Sequence, residues 1–200
     1  MEINAAIVKD LREKTGAPIM DCKKALQEVD GDLDKAIDRL REKGMQASRK
    51  KASRTANEGL IGSYIHPGGK IGVLVEVNCE TDFVARTDDF QELVKNLAMH
   101  VAAANPLYLS RDSVPAEVVE KEKAVYGKQA ELSGKPEKII DKIVDGKLEK
   151  FYSDVCLLEQ GYVREPEMTI KEFIDSQIGK IGENIVLKRF SRFHLGETTE

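Results

Sequence analysis

The strict alternation over Ile71–Cys79 constrains the fold of this chain more than any other feature of its sequence. Its apolar residues share one face: Ile71, Val73, Val75, Val77 and Cys79. This period of two predicts a β-strand with one buried face. The alternation stops at Glu80, and Thr87-Asp88-Asp89 has the pattern of a helix cap and first turn. The sequence therefore places Phe83 in a short connection between a strand and a helix, where functional residues often lie.

Two interpretations of this connection stay open on the pattern alone. Phe83 could turn back into the core, as a single phenylalanine more often does, while Thr81 or Asp82 caps a turn. Alternatively, Phe83 stays exposed and contacts another molecule.

Two further segments complete a small sheet. Leu60–His66 and Ile71–Cys79 flank Pro67-Gly68-Gly69, which predicts a hairpin. The apolar but imperfectly alternating residues 184–195 predict a third strand with a bulge. Helical patterns fill the sequence between the second and third strands, and residues 161–166 are interpreted as a loop. The predicted fold class is α+β, with a small, mostly antiparallel three-stranded sheet covered by helices.

The N-terminal residues predict a separate bundle of three short helices. Asn4 and Asp32 are candidate caps for the first and third helices, and apolar residues recur at helical spacing in all three. About 45 residues of this kind can form a compact bundle. Ile19 and Met20 are expected on the tight Gly-Ala-Pro turn between the first two helices, where they either form a contact surface or cover the bundle core.

The segment from Gly44 to Arg54 carries four positive charges and no acidic residue. This pattern is typical of a helical or extended linker. Such a run could contact phosphate, but a solvated linker between two domains is the favoured interpretation. The sequence therefore predicts two domains, a three-helix domain with this linker at 1–54 and an α+β core at 55–200.

The composition limits the classes of function. A formal net charge of −4 argues against a general nucleic-acid binder, so no direct nucleic-acid partner is expected. The three cysteines, Cys22, Cys79 and Cys156, are far apart in sequence and read as small buried hydrophobic residues rather than disulfides or zinc ligands. With no signal-peptide pattern and no apolar run long enough for a bilayer, we expect a cytoplasmic protein without a membrane partner.

Motifs for catalysis are weak. Neither Gly69-Lys70 nor Gly134-Lys135 is followed by Ser or Thr, so the phosphate-loop pattern is absent from the sequence. Cys79 lies beside Glu80, which disfavours a reactive thiolate. The three histidines lack metal-ligand spacing. We therefore expect no catalytic residue, no cofactor and no metal.

Three segments go beyond general patterns. They are Met20–Leu26 (MDCKKAL), Asn78–Ala85 (NCETDFVA) and Lys180–Ile185 (KIGENI). Together, and in this order, they resemble the elongation factor Ts family, the guanine-nucleotide exchange factors for elongation factor Tu in bacterial translation. The resemblance covers almost the whole chain, and it implies an exchange factor rather than an enzyme.

The resemblance implies roles for particular residues. It implies that the N-terminal bundle resembles a ubiquitin-associated (UBA) domain and contacts the partner through Arg12, Ile19 and Met20. It also implies that Thr81–Val84, hereafter the wedge, enters the partner near its nucleotide site and displaces the magnesium ion. Within the wedge, Thr81, Asp82, Phe83 and Val84 are the candidate partner-binding residues. Further contacts are implied at Ile181, Gly182 and His66.

The chain differs from longer members of that family. It is expected to hold a single core unit, without a duplicated half or an inserted helical hairpin. Short relatives are expected to pair through the sheet, which gives a 2:2 complex with the partner. Some of them close the pair with a cysteine where this chain has Ser191, so a non-covalent homodimer is expected here.

Two alternatives to the exchange factor are retained. The first is a non-catalytic protein- or RNA-binding module that uses the bundle and the basic residues of Arg49–Arg54. The second is a cysteine-dependent enzyme at Cys79.

Overall fold

The computed structural model describes residues 3–134 and 136–197, and within them it contains the predicted mixture of helices and strands. The helices are α1 (Ala5–Thr15), α2 (Ile19–Glu28), α3 (Leu33–Lys51), α4 (Asp82–Ala85), α5 (Asp88–Ala104), α6 (Ala116–Leu132), α7 (Glu137–Val155) and α8 (Ile170–Ile181). The strands are β1 (Glu58–Ile65), β2 (Ile71–Cys79), β3 (Gly161–Tyr162), β4 (Glu165–Thr169) and β5 (Val186–His194). The α+β fold class is confirmed.

The main sheet has the order β1-β2-β5 with antiparallel pairing throughout, so β2 is its central strand. The alternating side chains Val73, Val75 and Val77 are buried on the face that α5 covers. The predicted bulge is present, because the β2–β5 register shifts between Glu76 and Val77. The other face of the sheet is not covered by any helix or strand that the structure describes, and its apolar side chains are exposed.

The three N-terminal helices bury their own cluster of apolar side chains: Val8, Leu11, Cys22, Ala25, Leu26 and Ala36. Asn4 and Asp32 cap α1 and α3 as predicted, each through its side-chain oxygen. Ile19 and Met20 differ from the prediction, because they form the first turn of α2 and not the loop before it. Pro18 makes this possible, since it cannot donate a backbone hydrogen bond and suits the position that precedes a helix.

The basic segment is not a solvated linker over most of its length, because α3 continues to Lys51 and packs on α8. The two helices cross where Gly44 meets Gly179. A Cβ atom added at Gly44 would lie 3.3 Å from Ser176 Cα, and one added at Gly179 would lie 3.3 Å from Gly44 Cα. The absence of side chains at both positions therefore lets the backbones approach closely.

The division at residue 54 stays a prediction. Separate buried clusters lie on its two sides, but α3 also contacts α8 directly. Residues 1–2, 135 and 198–200 of the predicted domains lie outside the described residues.

The segment between α5 and α8 contains two features that the sequence analysis missed. Helices α6 and α7 pack on each other as a helical hairpin, so the expectation of a chain without one was wrong. The hairpin buries few large side chains, which is why its apolar stripes did not indicate a pairing. The predicted loop at 161–166 instead contains β3 and the start of β4, which form a two-stranded sheet.

Candidate functional site

The wedge, Thr81–Val84, lies where β2 ends and contains the first three residues of α4. Thr81 has extended backbone angles, and its hydroxyl accepts a hydrogen bond from the Val84 N–H at 3.3 Å. It is therefore the N-cap of α4, so the interpretation of Thr81 as a capping residue is confirmed. The connection is a single helical turn and not an irregular loop.

This turn sends its two large apolar side chains in different directions. Val84 packs against the sheet core, whereas 77% of Phe83 is exposed. The interpretation of Phe83 as a core residue is therefore wrong. A phenylalanine this exposed leaves most of its apolar surface in water, which is unfavourable unless another molecule covers it.

Asp82 lies beside Phe83 and pairs with Arg86 one turn later, at 2.6 Å. The Arg86 side chain is 76% exposed and that of Asp82 is 47% exposed, so this surface pair contributes little to stability. The acidic group of Asp82 is therefore available at the surface next to the exposed ring.

Helix α8 ends beside the wedge. Gly182 has a left-handed backbone (φ 92°) and closes the helix, which turns the chain toward β5. The next residue, Glu183, accepts hydrogen bonds from the backbone N–H groups of Glu80 and Thr81, both at 3.0 Å. The structure thus brings Ile181 and Gly182 close to the wedge; Gly182 is exposed, and Ile181 packs partly against the core.

His66 lies at the opposite end of the sheet from the wedge. It follows β1 at the hairpin turn opposite Ile71, eight residues along β2 from Cys79, or about 26 Å at the usual rise of a strand. Its ring is exposed, and its Nδ1 lies 3.1 Å from the Tyr64 hydroxyl. The structure therefore does not join His66 to the same surface as Phe83.

The N-terminal candidates form a second exposed group. Ile19 and Met20 are 52% and 61% exposed, and Arg12 is exposed on α1. Neither Ile19 nor Met20 belongs to the cluster that forms the bundle core. The interpretation that they cover this core is therefore wrong.

Cys79 has none of the properties of a nucleophile. Its thiol is buried, and its Sγ donates to the Thr81 carbonyl at 3.1 Å. Burial, together with the negative charge of Glu183, raises the pKa of Cys79 to about 11. The thiol is therefore protonated near neutral pH, which removes the basis for a cysteine-dependent enzyme.

The basic segment uses two of its charges within the chain. Lys51 Nζ donates to the carbonyl of Ile178 at 3.3 Å, and Arg54 lies 3.5 Å from Glu80. This leaves Arg49 and Lys50 as the exposed basic residues of the segment that make no ion pair within the part of the chain that the structure describes. Their two neighbouring charges form a small basic patch.

Glu183 is the functional candidate that the sequence analysis did not single out. It stands inside the motif Lys180–Ile185, but the motif by itself does not indicate a contact with residues 102 and 103 positions earlier. Such a contact depends on the fold, which brings the end of α8 to the end of β2.

Among the residues that the structure describes, no helix is both long enough and apolar enough to cross a membrane. Among the same residues, no three His, Cys, Asp or Glu side chains cluster closely enough to hold a metal ion.

Known proteins match the chain over almost its full length. The family model described as Elongation factor TS matches residues 2–197. The protein named Elongation factor Ts from Caldanaerobacter subterraneus subsp. tengcongensis is 60% identical over 198 residues, 99% of this chain and 99% of that protein. Those from Citrifermentans bemidjiense and Geobacter sulfurreducens are 60% and 58% identical, over 98% and 100% of this chain and 91% and 93% of their own lengths.

The chain belongs to the elongation factor Ts family. The resemblance drawn from three short segments is thereby confirmed, and it extends over both the bundle and the sheet. Membership in the elongation factor Ts family places the chain among the factors of translation elongation in protein biosynthesis.

Proposed function

We propose that this chain is a guanine-nucleotide exchange factor for elongation factor Tu. In this proposal the wedge enters the GDP-bound partner near its magnesium and phosphate site, GDP leaves, and GTP binding then displaces the factor. No covalent step is involved, and the setting is the cytoplasm, where translation elongation takes place.

The single observation that supports the wedge most strongly is the exposure of Phe83. Its ring extends from a one-turn helix that is capped by Thr81 and joined directly to the central strand of the sheet. A rigid support of this kind means that little ordering entropy is lost when the ring enters a pocket. The half-exposed carboxylate of Asp82 beside it can compete with the oxygen ligands of a magnesium ion.

Magnitudes indicate that the wedge does not act alone. Accelerating release by about ten-thousandfold requires roughly 5.5 kcal/mol of preference for the nucleotide-free partner. Burying one phenylalanine contributes about 1.5–3 kcal/mol. Further contacts must therefore favour the same state, and Ile181, Gly182 and the N-terminal group of Arg12, Ile19 and Met20 are the candidates.

Coupling between nucleotide and factor follows from thermodynamic linkage. If the factor weakens the binding of nucleotide to its partner, nucleotide weakens the binding of the factor by the same ratio. Displacement by GTP is therefore a necessary part of the proposed mechanism and needs no additional residue.

Two structural roles belong to the same proposal. We propose that the N-terminal bundle is UBA-like and binds the partner as a separate module. We also propose that the uncovered face of the sheet pairs two copies of the chain without a covalent bond, which gives a 2:2 complex. His66 remains a proposed partner contact, at a distance from the wedge.

The test is the rate of GDP release from elongation factor Tu, measured by stopped flow with a fluorescent nucleotide. We expect the unmodified chain to accelerate release, and Phe83→Ala combined with Asp82→Ala to lower the maximal rate about tenfold or more, as expected when about 1.5–3 kcal/mol of burial is lost. Leu107→Ala is the matched control, because Leu107 is 62% exposed and lies outside the wedge. An unmodified chain without effect would reject the exchange function, and a double variant at the control rate would reject the wedge.

A further inference from the structure

We propose that Glu183 is a positioning residue, which holds the wedge in the orientation that exposes Phe83. The inference rests on the proposed exchange function, since it assigns to one carboxylate the geometry on which the wedge depends. Glu183 itself is only partly exposed and is not expected to enter the partner.

One carboxylate makes three contacts with the base of the wedge. Glu183 Oε2 accepts from the N–H groups of Glu80 and Thr81, both at 3.0 Å, and its Oε1 accepts from the Thr81 hydroxyl at 2.7 Å. Hydrogen bonds to an ionised acceptor are about twice as strong as those between neutral groups. Three such hydrogen bonds to one carboxylate fix the orientation of the base of the wedge relative to Glu183.

The other polar groups around Thr81 are also in use. Its carbonyl accepts from the Cys79 thiol at 3.1 Å and from the Ala85 N–H at 3.3 Å. In return, Glu80 Oε1 accepts from the Asn184 N–H at 2.6 Å, so the two chain segments hold each other reciprocally. The end of β2 and the end of α8 are thus joined by side chains on both sides.

This junction controls α4 because that helix is too short to be stable by itself. It has four residues, fewer than an isolated helix needs, so its direction depends on its cap. The cap is Thr81, and the hydroxyl that caps α4 is the same hydroxyl that donates to Glu183. Loss of the carboxylate therefore frees the cap and lets the helical turn that carries Phe83 reorient.

The same residue also determines which groups stand beside the ring. Because Glu183 directly follows Gly182, its bonds to Thr81 keep the end of α8 next to the wedge. Loss of these hydrogen bonds is expected to separate the end of α8 from the wedge and also to disorder the Phe83 side chain.

The chain offers a matched control in Glu172, at the other end of α8. Its Oε2 accepts from the N–H of Thr169 at 2.8 Å and from the hydroxyl of Thr169 at 3.0 Å. This is the same chemistry, a glutamate that holds a threonine cap, at a site away from the wedge. Glu172→Ala should therefore cost stability in a similar way without touching the proposed mechanism.

The experiment measures the maximal rate of GDP release and the concentration for half-maximal effect, with thermal unfolding in parallel. Glu183→Ala should lower the maximal rate at least about tenfold, because small misplacements of positioned groups have effects of this size. Glu183→Gln should keep most of the maximal rate, because its one amide oxygen can still accept hydrogen bonds from both backbone N–H groups. Glu172→Ala should keep the rate of the unmodified chain.

A double variant separates this inference from the wedge itself. If Glu183 acts mainly by positioning Phe83, Glu183→Ala should slow the Phe83→Ala chain by a smaller factor than it slows the unmodified chain. A slow Phe83→Ala chain together with a normal Glu183→Ala chain would overturn the positioning role alone, and a normal Phe83→Ala chain would overturn the wedge. Equal losses in Glu183→Ala and Glu172→Ala would show a general effect of stability and would also overturn the positioning role.

If Glu183→Ala does not fold, Glu183→Asp takes its place. It keeps the charge but shortens the side chain by one carbon–carbon bond, about 1.5 Å, so the three contacts cannot all be made. A reduced maximal rate with a folded chain would support the inference, and an unchanged rate would overturn it.

Discussion

Both ring nitrogens of His100 are used inside the protein, although the ring is fully buried on α5. Its Nε2 lies 3.1 Å from Gln160 Oε1, and its Nδ1 accepts from the Val163 N–H at 3.3 Å. The amide of Gln160 donates to the carbonyls of Ala104 and Asp154, which leaves its oxygen as the acceptor for the histidine. The neutral ring thus satisfies every partner, whereas a second proton on Nδ1 would face the N–H of Val163.

This arrangement predicts a stability that falls in mild acid. Burial lowers the pKa of His100 from its usual value of 6.5. As the pH falls, the unfolded chain therefore binds a proton at this residue before the folded chain does. The stabilisation of the fold by neutral His100 is complete above about pH 6.5 and decreases below it. For this one residue, the unfolding free energy should change by no more than about 1.4 kcal/mol per pH unit.

Urea unfolding at pH 7.5 and pH 5.5 measures the effect. His100→Gln should reduce the difference in unfolding free energy between the two pH values, even if the variant is less stable at both. His194→Gln is the control, because His194 is exposed on β5 and pairs with a surface glutamate. If the unfolding free energy changes equally between the two pH values in His100→Gln and in the unmodified chain, His100 does not cause the pH dependence.

At the wedge, the sequence predicted the position of Phe83 but not its exposure. Strict alternation and the cap at Thr87 placed the residue between a strand and a helix. Whether the ring turns inward depends on how a four-residue helix is held, and that depends on Glu183 more than a hundred positions later. Periodicity carries no information on such a contact.

At the scale of elements, the local signals were sufficient wherever a helix or strand has its own cap and apolar stripe. The hairpin and the helix that begins after Thr87 were predicted close to their observed bounds. The segment from Gly44 was interpreted as a solvated linker because a run of like charges usually lies in solvent. Here the glycine permits the crossing of α3 over α8, which only the tertiary structure explains.

This crossing changes how the role of the N-terminal bundle should be tested. Deleting residues 1–54 would remove α3 and expose the face of α8 that it covers. Replacing Ile19 and Met20 by alanine leaves that contact in place, because both side chains are exposed on α2. We expect the double variant to fold normally and to bind nucleotide-free elongation factor Tu about tenfold or more weakly, as two partly buried side chains would imply.

Calorimetry of the complex measures this affinity. Val125→Ala combined with Leu132→Ala is a suitable control, because both residues are exposed apolar side chains on α6. Affinity equal to that of the control would exclude Ile19 and Met20 as partner contacts.

For the whole molecule, the uncovered face of the sheet is an apolar surface that no helix or strand of the described residues covers. The strand register shows which side chains lie on this face. Ile65 and Phe193 flank Gly72, and Leu74 lies between Ser63 and Ser191. Ile65, Leu74 and Phe193 are 65%, 46% and 59% exposed. An apolar patch on a flat sheet is typical of a protein–protein interface.

Light scattering tests the proposed pairing through this face. We expect the free protein to have a mass close to twice 22.3 kDa, and Ile65→Asp combined with Phe193→Asp to have the mass of one chain, because two like charges on each side would meet across the interface. Leu132→Asp is the control, since Leu132 is 89% exposed at the end of α6 and should not alter the mass. A single-chain mass for the unmodified protein at high concentration would rule out the homodimer.

The burial of all three cysteines has a practical consequence for such experiments. Thiol reagents such as maleimides react with thiols that are both accessible and ionised. Cys22, Cys79 and Cys156 are buried in the folded chain, and burial raises the pKa of each. A cysteine introduced at the surface would therefore be the only reactive one. A fluorophore could be attached beside Phe83 without first replacing the native thiols, and its emission would follow the ring as it leaves water.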